Sequence, residues 1–163
     1  MRMTPENSFR LSVQRIWTAT GARSAEPAAV LILGGRIAEI GPEASVPSPT
    51  DVRQIEFPPS VTLIPGMIDA HSHTNLPGDG SDLEPLSEDS DEIMVLRTAA
   101  NGFAALRSGV TTLRDNGSFH TTVLEYKRAL VRGIVRGPRV LASGHPITIT
   151  GGHCWQMGGE ADG

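Results

Sequence analysis

Residues 63–73 read LIPGMIDAHSH, an apolar run and a Pro-Gly turn followed by a short segment with two histidines. The segment after the turn predicts a strand, and a period of two puts His71 and His73 on the same face of it. Two neutral imidazoles so placed can bind one divalent metal, with zinc–nitrogen distances of about 2.0–2.1 Å. Asp69 shares that face one step deeper, where its carboxylate can orient a ligand histidine. The alternative interpretation is two surface histidines beyond a strand.

Downstream of the histidines the sequence alternates between helix and strand patterns. Apolar residues at helical spacing predict a helix over 91–106, capped by Ser90 and ended by Gly109. These apolar residues are Ile93, Leu96, Ala100 and Phe103. The later elements predicted are a strand over 110–113, a helix carrying Val123, Tyr126, Leu130 and Ile134 that ends at Gly137-Pro138, and a strand over 139–142. This order implies parallel βαβ units, in which ligands bind at the carboxyl ends of the strands.

The first 60 residues form a separate segment that is rich in strand patterns. Its short apolar runs lie at 9–16, 29–33, 36–40 and 52–57. Gly34-Gly35 joins two of these runs directly and predicts a two-residue hairpin. We therefore expect an α/β protein with an N-terminal β-sandwich segment over residues 1–60 and a βαβ segment over residues 61–163.

Two more candidate site residues follow predicted strands. His153 comes after the third of them, behind two glycines that let the backbone approach a ligand closely. An ordinary loop histidine explains the same pattern equally well. Asp115 follows the second strand, where its carboxylate can orient a ligand histidine. It can also start a turn with Asn116-Gly117, and we favour that role slightly.

Other polar residues receive structural interpretations. His120 and His145 are expected to be surface or capping residues, and Cys154 to be a small buried hydrophobe. The segment 79–92 holds seven acidic residues and no Lys or Arg. We interpret it as a solvated loop that supplies acids to a helix N-terminus, with attraction of cationic substrates as the alternative. Its acidic residues are Asp79, Asp82, Glu84, Glu88, Asp89, Asp91 and Glu92.

Composition limits the class of protein and its compartment. The net charge of −4 argues against a nucleic-acid surface. The longest apolar run, residues 28–33, is too short to span a bilayer, and no signal peptide is visible at the start. The single cysteine excludes an internal disulfide and fits a reducing compartment. We expect a cytoplasmic protein without a nucleic-acid or membrane partner. Serine-hydrolase elbows and Walker-type phosphate loops are absent from the sequence.

Together, these segments resemble the metal-dependent amidohydrolase superfamily. GGRIAEIG at 34–41 is similar to the N-terminal hairpin of its composite β domain. LIPGMIDAHSH at 63–73 and SGVTTLRD at 108–115 are similar to its first two barrel strands. ITITGGH at 147–153 is similar to the imidazolonepropionase-like branch, which includes prolidase-like dipeptidases. Cys154-Trp155 departs from that branch, which often has a small residue after the histidine.

The resemblance implies a (β/α)8 barrel of the TIM type with one or two divalent metal ions at its C-terminal face. It implies that His71 and His73 are metal ligands, that His153 lines the substrate pocket, and that an amide or related C–N bond of a small molecule or dipeptide is hydrolysed. Asp69 and Asp115 would then support the ligand histidines from behind. Zinc is the expected metal, with iron, manganese and cobalt left open. A homo-oligomer is compatible with the full-length form.

The length conflicts with a complete barrel, which takes about 250 residues. Only about 100 residues follow residue 60, enough for three strands and two helices of such a barrel. The family also uses a lysine on the fourth strand, histidines on the fifth and sixth, and an aspartate on the eighth, for which this chain has no positions. We therefore expect a truncated N-terminal part that folds poorly, because its parallel sheet has an open edge, and that is inactive alone. A non-catalytic metal-binding or assembly module that needs a partner chain is the alternative, and a remnant without a stable fold is a third.

Overall fold

The computed structural model describes residues 7–20, 23–24, 26–82, 86 and 88–162. The chain divides into two compact units, Met1–Pro65 and Gly66–Gly163. In chain order, the elements within the described residues are β1 Phe9–Val13, β2 Arg15–Trp17, β3 Arg23–Ser24, β4 Ala28–Leu33, β5 Arg36–Pro42, β6 Arg53–Glu56, β7 Thr62–Leu63, β8 Met67–Ser72, α1 Asp91–Arg107, β9 Val110–Asp115, α2 Thr122–Val131 and β10 Arg139–Ala142. A short 3-10 helix, Trp155–Met157, follows β10.

The first unit contains two small sheets, with strand orders β5-β4-β1-β6 and β3-β2-β7. Strands β4 and β5 pair antiparallel, and the turn between them is Gly34-Gly35, with φ values of +59° and +77°. Positive φ at both central positions is the geometry that a two-residue hairpin of this kind needs, so the predicted hairpin is confirmed. The strand expected over 9–16 is interrupted, because β1 and β2 lie in different sheets.

Strand β4 is apolar along its whole length because it is buried on both faces. Ala28 and Val30 belong to one buried cluster, together with Val13 and Ile16. The alternate residues Ala29 and Leu31 belong to a second cluster, with Val46 and Val52. The unbroken run of apolar residues in this strand therefore reflects two cores, one on each side of the sheet.

The second unit is built on a parallel sheet with the strand order β10-β9-β8. Helix α1 connects β8 to β9, and helix α2 connects β9 to β10, so the predicted alternation of strands and helices is confirmed. The core of this unit joins Leu113 of β9 and Val140 of β10 to Val123 and Tyr126 of α2. Among the described residues the sheet has three strands, and a closed barrel remains an expectation.

Helix α1 begins where the sequence predicts, but it packs with a different face. Ser90 is its N-cap and accepts the backbone N–H of Ile93. The apolar stripe noted in the sequence is exposed, with Leu96 at 66%. The buried residues are instead Met94, Thr98 and Gly102. Glycine is required at position 102, because a Cβ there would overlap the Tyr126 side chain.

Helix α2 ends at Val131, earlier than the expected end at Gly137-Pro138. The N–H of Gly133 donates to the carbonyl of Leu130, and the N–H of Ile134 donates to that of Ala129. With φ at +68° for Gly133, these two bonds form a Schellman motif, which ends the helix. Ile134 therefore lies beyond the helix and is 69% exposed.

The helices in the described part of the chain include none with the length and apolar character of a membrane span.

Candidate active site

The two histidines of the opening motif lie side by side at the carboxyl end of β8. Their ring centroids are 5.4 Å apart and the ring planes meet at 64°, an edge-on arrangement. His71 is exposed and His73 is half-buried. The spacing of two residues therefore places both imidazoles within reach of a common partner.

His73 is fixed by a hydrogen bond to the backbone. Its Nδ1 lies 2.7 Å from the carbonyl oxygen of Gly117, in the loop that follows β9. Because a carbonyl oxygen can only accept, Nδ1 carries the proton, and in the neutral ring Nε2 then keeps its lone pair. This is the tautomer that a metal ligand needs, since the imidazole binds through its unprotonated nitrogen.

Asp115, at the end of β9, is 1% exposed and makes hydrogen bonds with both carboxylate oxygens. Oδ2 accepts the backbone N–H of Thr74 at 2.7 Å and also the Thr74 hydroxyl. Oδ1 accepts the backbone N–H of Gly117 at 3.1 Å. The bond from Gly117 forms the turn that the sequence analysis favoured for Asp115. The two bonds from Thr74 were not predicted from the sequence, and they join β9 to the residue after His73.

Asp69 contacts the backbone at the histidine pair. Its Oδ1 accepts the N–H of His71 at 3.1 Å. The carboxylate therefore stabilises the backbone conformation at His71. The sequence analysis had suggested that it would orient an imidazole ring instead.

Helix α1 holds the segment after His73 through two polar side chains that the sequence analysis missed. The Asn101 amide donates to the carbonyls of Thr74 at 2.9 Å and Leu76 at 2.7 Å. Arg97 donates to the carbonyl of Asn75 at 3.3 Å and pairs with Asp89. An asparagine in the middle of a helix is a poor helix former, and that was the available signal for its role.

His153 is exposed, in the turn before the short 3-10 helix. Side chains from the end of the chain close its loop, with Glu160 accepting the Gly151 N–H at 2.7 Å. Asp162 accepts the N–H of Thr150 at 3.1 Å and its hydroxyl. These bonds from Thr150 lower the pKa of the Asp162 carboxyl below its usual value.

Cys154 and His145 have structural contacts in the same region. Cys154 packs against the buried cluster of Met94, Phe119 and Met157, as expected for a small hydrophobe, but it is half-buried and not fully buried as predicted. His145 shares a hydrogen bond of 2.7 Å between its Nδ1 and the carbonyl oxygen of Met157. Both residues thus anchor the loop that carries His153.

Acidic residues before α1 and in its first turn make polar contacts with other residues of this unit. Asp79 accepts the N–H and hydroxyl of Ser81, which lowers the pKa of its carboxyl. Asp91 pairs with His120, and the Ser90 hydroxyl lowers the pKa of Glu92 in the first turn of α1. These contacts fit a solvated loop that supplies acids to a helix N-terminus. Glu84 lies outside the described residues.

The described residues contain no complete metal-binding group. Nowhere among them do three or more His, Cys, Asp or Glu side chains come together in a way that could hold a metal ion. His153 and Asp115 are therefore not joined with the two imidazoles into one ligand set. The donor chemistry of the pair, with Nε2 of His73 unprotonated, fits a divalent metal, but catalytic zinc sites usually have three protein ligands.

A cavity of about 250 Å³ opens at the carboxyl ends of β9 and β10, the edge where β8 also ends. It is lined by Arg114, Asp115, Asn116, Leu141, Ala142 and Ser143. In parallel α/β sheets this edge is where ligands bind. The candidate ligands and the cavity thus belong to the edge of the sheet that the sequence indicated.

The sequence profile of the Amidohydrolase family matches residues 62–162. No curated protein sequence matches the chain. Solved structures do match it. A prolidase complexed with N-methylphosphonate-L-proline is 26% identical, with a TM-score of 0.75 and coverage of 96% of this chain and 41% of that one. The ochratoxinase of A. niger is 25% identical, with a TM-score of 0.73 and coverage of 90% and 33%.

A Xaa-Pro dipeptidase with bound methionine in its active site shares the fold, with a TM-score of 0.77 at 21% identity. That match covers 94% of this chain and 37% of the dipeptidase. The chain thus spans between 33% and 41% of the length of these three structures.

Proposed function

Since the chain belongs to the amidohydrolase family, we propose that the whole protein hydrolyses amide or other C–N bonds with the help of a divalent metal. The observation that carries the proposal is the adjacent pair His71 and His73, with Nδ1 of His73 bonded to a backbone carbonyl. That bond leaves Nε2 available at the edge of the sheet where ligands bind.

His71 and His73 would hold the metal, and zinc is the first choice for two imidazole ligands. A divalent ion bound there supplies Lewis acidity, which lowers the pKa of water and polarises a carbonyl. The chain's own contribution is to position the two rings, through the Gly117 carbonyl at His73 and the Asp69 carboxylate at the backbone of His71.

The proposed substrate is a dipeptide or another small amide. Support comes from the prolidase that matches the chain at 26% identity. We assign His153 to the substrate side of the site, because it is exposed in the loop beyond β10, the strand whose carboxyl end lines the cavity.

We place residues 61–163 at the start of a (β/α)8 barrel and residues 1–60 in a β-sandwich segment. The polypeptide 1–163 by itself is expected to lack hydrolase activity. The support for this expectation is that the described residues bring together two imidazoles and no third ligand.

Metal binding is tested on the chain itself by loading it with Zn²⁺, removing excess ion and measuring metal content. We expect wild type to retain zinc, and His71→Ala and His73→Ala each to lose most of it. His120→Ala is the matched control, because His120 is an exposed histidine that pairs with Asp91. Zinc retained by both site variants would overturn the ligand assignment.

Hydrolysis is tested by incubating zinc-loaded 1–163 with a panel of dipeptides, including Xaa-Pro, and measuring released amino acids. We expect no turnover from this polypeptide. If the source reading frame continues, its longer product is expected to hydrolyse at least one member of the panel. Turnover by 1–163 alone would contradict the expected inactivity.

A non-catalytic metal-binding or assembly module is the second candidate function. It is favoured by the same incomplete ligand set. Retention of zinc by 1–163, together with no hydrolysis by the longest natural product of the gene, would favour this function over the enzyme.

A further inference from the structure

Thr74 and Gly117 are tied to the same carboxylate, that of Asp115. One oxygen accepts two donors from Thr74, the residue that follows His73. The other oxygen accepts the N–H of Gly117, whose carbonyl receives Nδ1–H of His73. Two routes therefore lead from Asp115 to the same imidazole, one through the chain and one through a hydrogen bond.

We propose that Asp115 is a positioning residue for His73, which sets both the place of its ring and the tautomer that leaves Nε2 free for a divalent metal. The inference rests on the proposed function in one respect, since it takes Nε2 of His73 as a ligand atom. The carboxylate acts through Gly117 and Thr74 and does not touch the metal or the imidazole itself.

Burial makes the arrangement specific. Asp115 is 1% exposed and Thr74 is 5% exposed, so water cannot readily replace either partner. A buried carboxylate needs donors on its oxygens, and the donors here are two backbone N–H groups and one hydroxyl. Loss of one acceptor oxygen would leave a backbone N–H unpaired, and the segment would move to satisfy it.

The substitution Asp115→Asn removes one acceptor oxygen with almost no change in the volume of the side chain. If the new amide nitrogen faces Thr74, two donors oppose each other, and if it faces Gly117, the N–H of Gly117 loses its acceptor. In both cases the Gly117 carbonyl or the Thr74 backbone shifts, and the bond to Nδ1 of His73 weakens.

The first measurement is the tautomer of His73 in metal-free chain at about pH 8, where an unperturbed histidine is neutral. Ring nitrogen-15 shifts report the tautomer directly, and His73→Ala assigns the signal among the five histidines. We expect Nδ1–H in wild type and a mixture of tautomers in Asp115→Asn. A role limited to stability would lower the thermal midpoint and leave the tautomer of the folded chain unchanged.

The second measurement is the dissociation constant for Zn²⁺. Outer hydrogen-bond partners of ligand histidines typically contribute about 10–100-fold to metal affinity, and we expect a loss in that range for Asp115→Asn. Asp79→Asn is the matched control, because Asp79 also accepts an N–H two residues ahead, at an exposed site. Its affinity should equal that of wild type.

A milder pair of variants covers the case in which Asp115→Asn does not fold. Thr74→Val removes the hydroxyl donor and should weaken zinc binding, whereas Thr74→Ser keeps the donor and should not. Unchanged tautomer and unchanged affinity in Asp115→Asn or Thr74→Val would overturn the proposal. Absence of zinc binding in wild type would refute the ligand role of the histidines, and the tautomer comparison would then decide the positioning role alone.

Discussion

The side chain of Asn101, in the middle of helix α1, donates to the carbonyl of Thr74 at 2.9 Å, one residue beyond the histidine pair. The same amide also donates to the carbonyl of Leu76 at 2.7 Å. One residue of the helix therefore satisfies two acceptors of a loop that has little regular structure of its own.

Replacing Asn101 with alanine should destabilise the chain by about 1–3 kcal/mol, since two hydrogen bonds worth about 0.5–1.5 kcal/mol each are lost. Chemical denaturation measures this change. Hydrogen exchange at the Leu76 amide, which bonds to the His73 carbonyl at 3.1 Å, should also become faster. Exchange at Leu76 that stays at the wild-type rate would show that the loop does not depend on Asn101.

Gly102→Ala should also destabilise the chain, although alanine is the better helix former. The gain in helix propensity is about 1 kcal/mol, whereas overpacking a core costs about 1–3 kcal/mol. The Tyr126 side chain has little room to move away, because its hydroxyl also lies close to the backbone of Gly137, where an added Cβ would be 2.0 Å from it. We expect a net loss of up to about 2 kcal/mol in the free energy of unfolding.

A double-mutant cycle with Tyr126→Phe isolates this contact. The Tyr126 hydroxyl is buried without a hydrogen-bond partner among the described residues, so its removal should cost little. The Gly102→Ala penalty should shrink in the Tyr126→Phe background without vanishing, since the Cζ atom of the ring also lies within 2.7 Å of the added Cβ. Equal penalties in both backgrounds would contradict the proposed overlap.

Ionisation of Tyr126 should lower the free energy of unfolding above about pH 10. Burial raises the pKa of its phenol, because the charged form is desolvated. The neutral phenol is therefore favoured by folding, so its contribution is complete below the unfolded pKa and is lost as pH rises through the folded pKa. Tyr126 is the only tyrosine, so phenolate absorbance reports it alone. We expect a higher midpoint in folded than in denatured chain, and a steeper alkaline loss of stability in wild type than in Tyr126→Phe.

Thr150→Val should loosen the loop that carries His153. The variant loses the hydroxyl that donates to Asp162, so the lowered pKa of that carboxyl should return toward its usual value. Because a depressed folded pKa stabilises the loop at neutral pH, the contact is lost as pH falls through that pKa. Carbon-13 titration of the carboxyls measures the shift, and Asp79, whose pKa is lowered by Ser81, serves as an internal reference that should not move.

The sequence predicted those parts of the fold that depend on neighbouring residues. Gly34-Gly35 indicated a hairpin because only local backbone conformation is needed to form it. Ser90 indicated the start of a helix for the same reason. The end of α2 is also encoded locally, in Gly133, whose turn ends the helix before the Gly137-Pro138 pair is reached.

Local sequence patterns could not predict which face of α1 is buried or which residues bond to Asp115. Ile93 and Leu96 are more hydrophobic than Thr98 and Gly102, yet the second pair is buried. At position 102 the reason is the close approach of Tyr126, which leaves no room for a Cβ. The bond from Thr74 to Asp115 joins residues 41 positions apart, and local patterns carry no information at that separation.

The bond between His73 and Gly117 spans 44 residues of chain. It cannot form until β9 has been synthesised and has paired with β8, so the histidine motif emerges from the ribosome well before its second ring is oriented. An isolated peptide of residues 63–76 would contain both imidazoles but would have to order them at the moment of binding, at a cost in conformational entropy. If the two histidines hold a metal ion as proposed, its capture by this chain is a late event of folding, and the nascent motif is a weak competitor for ions until then.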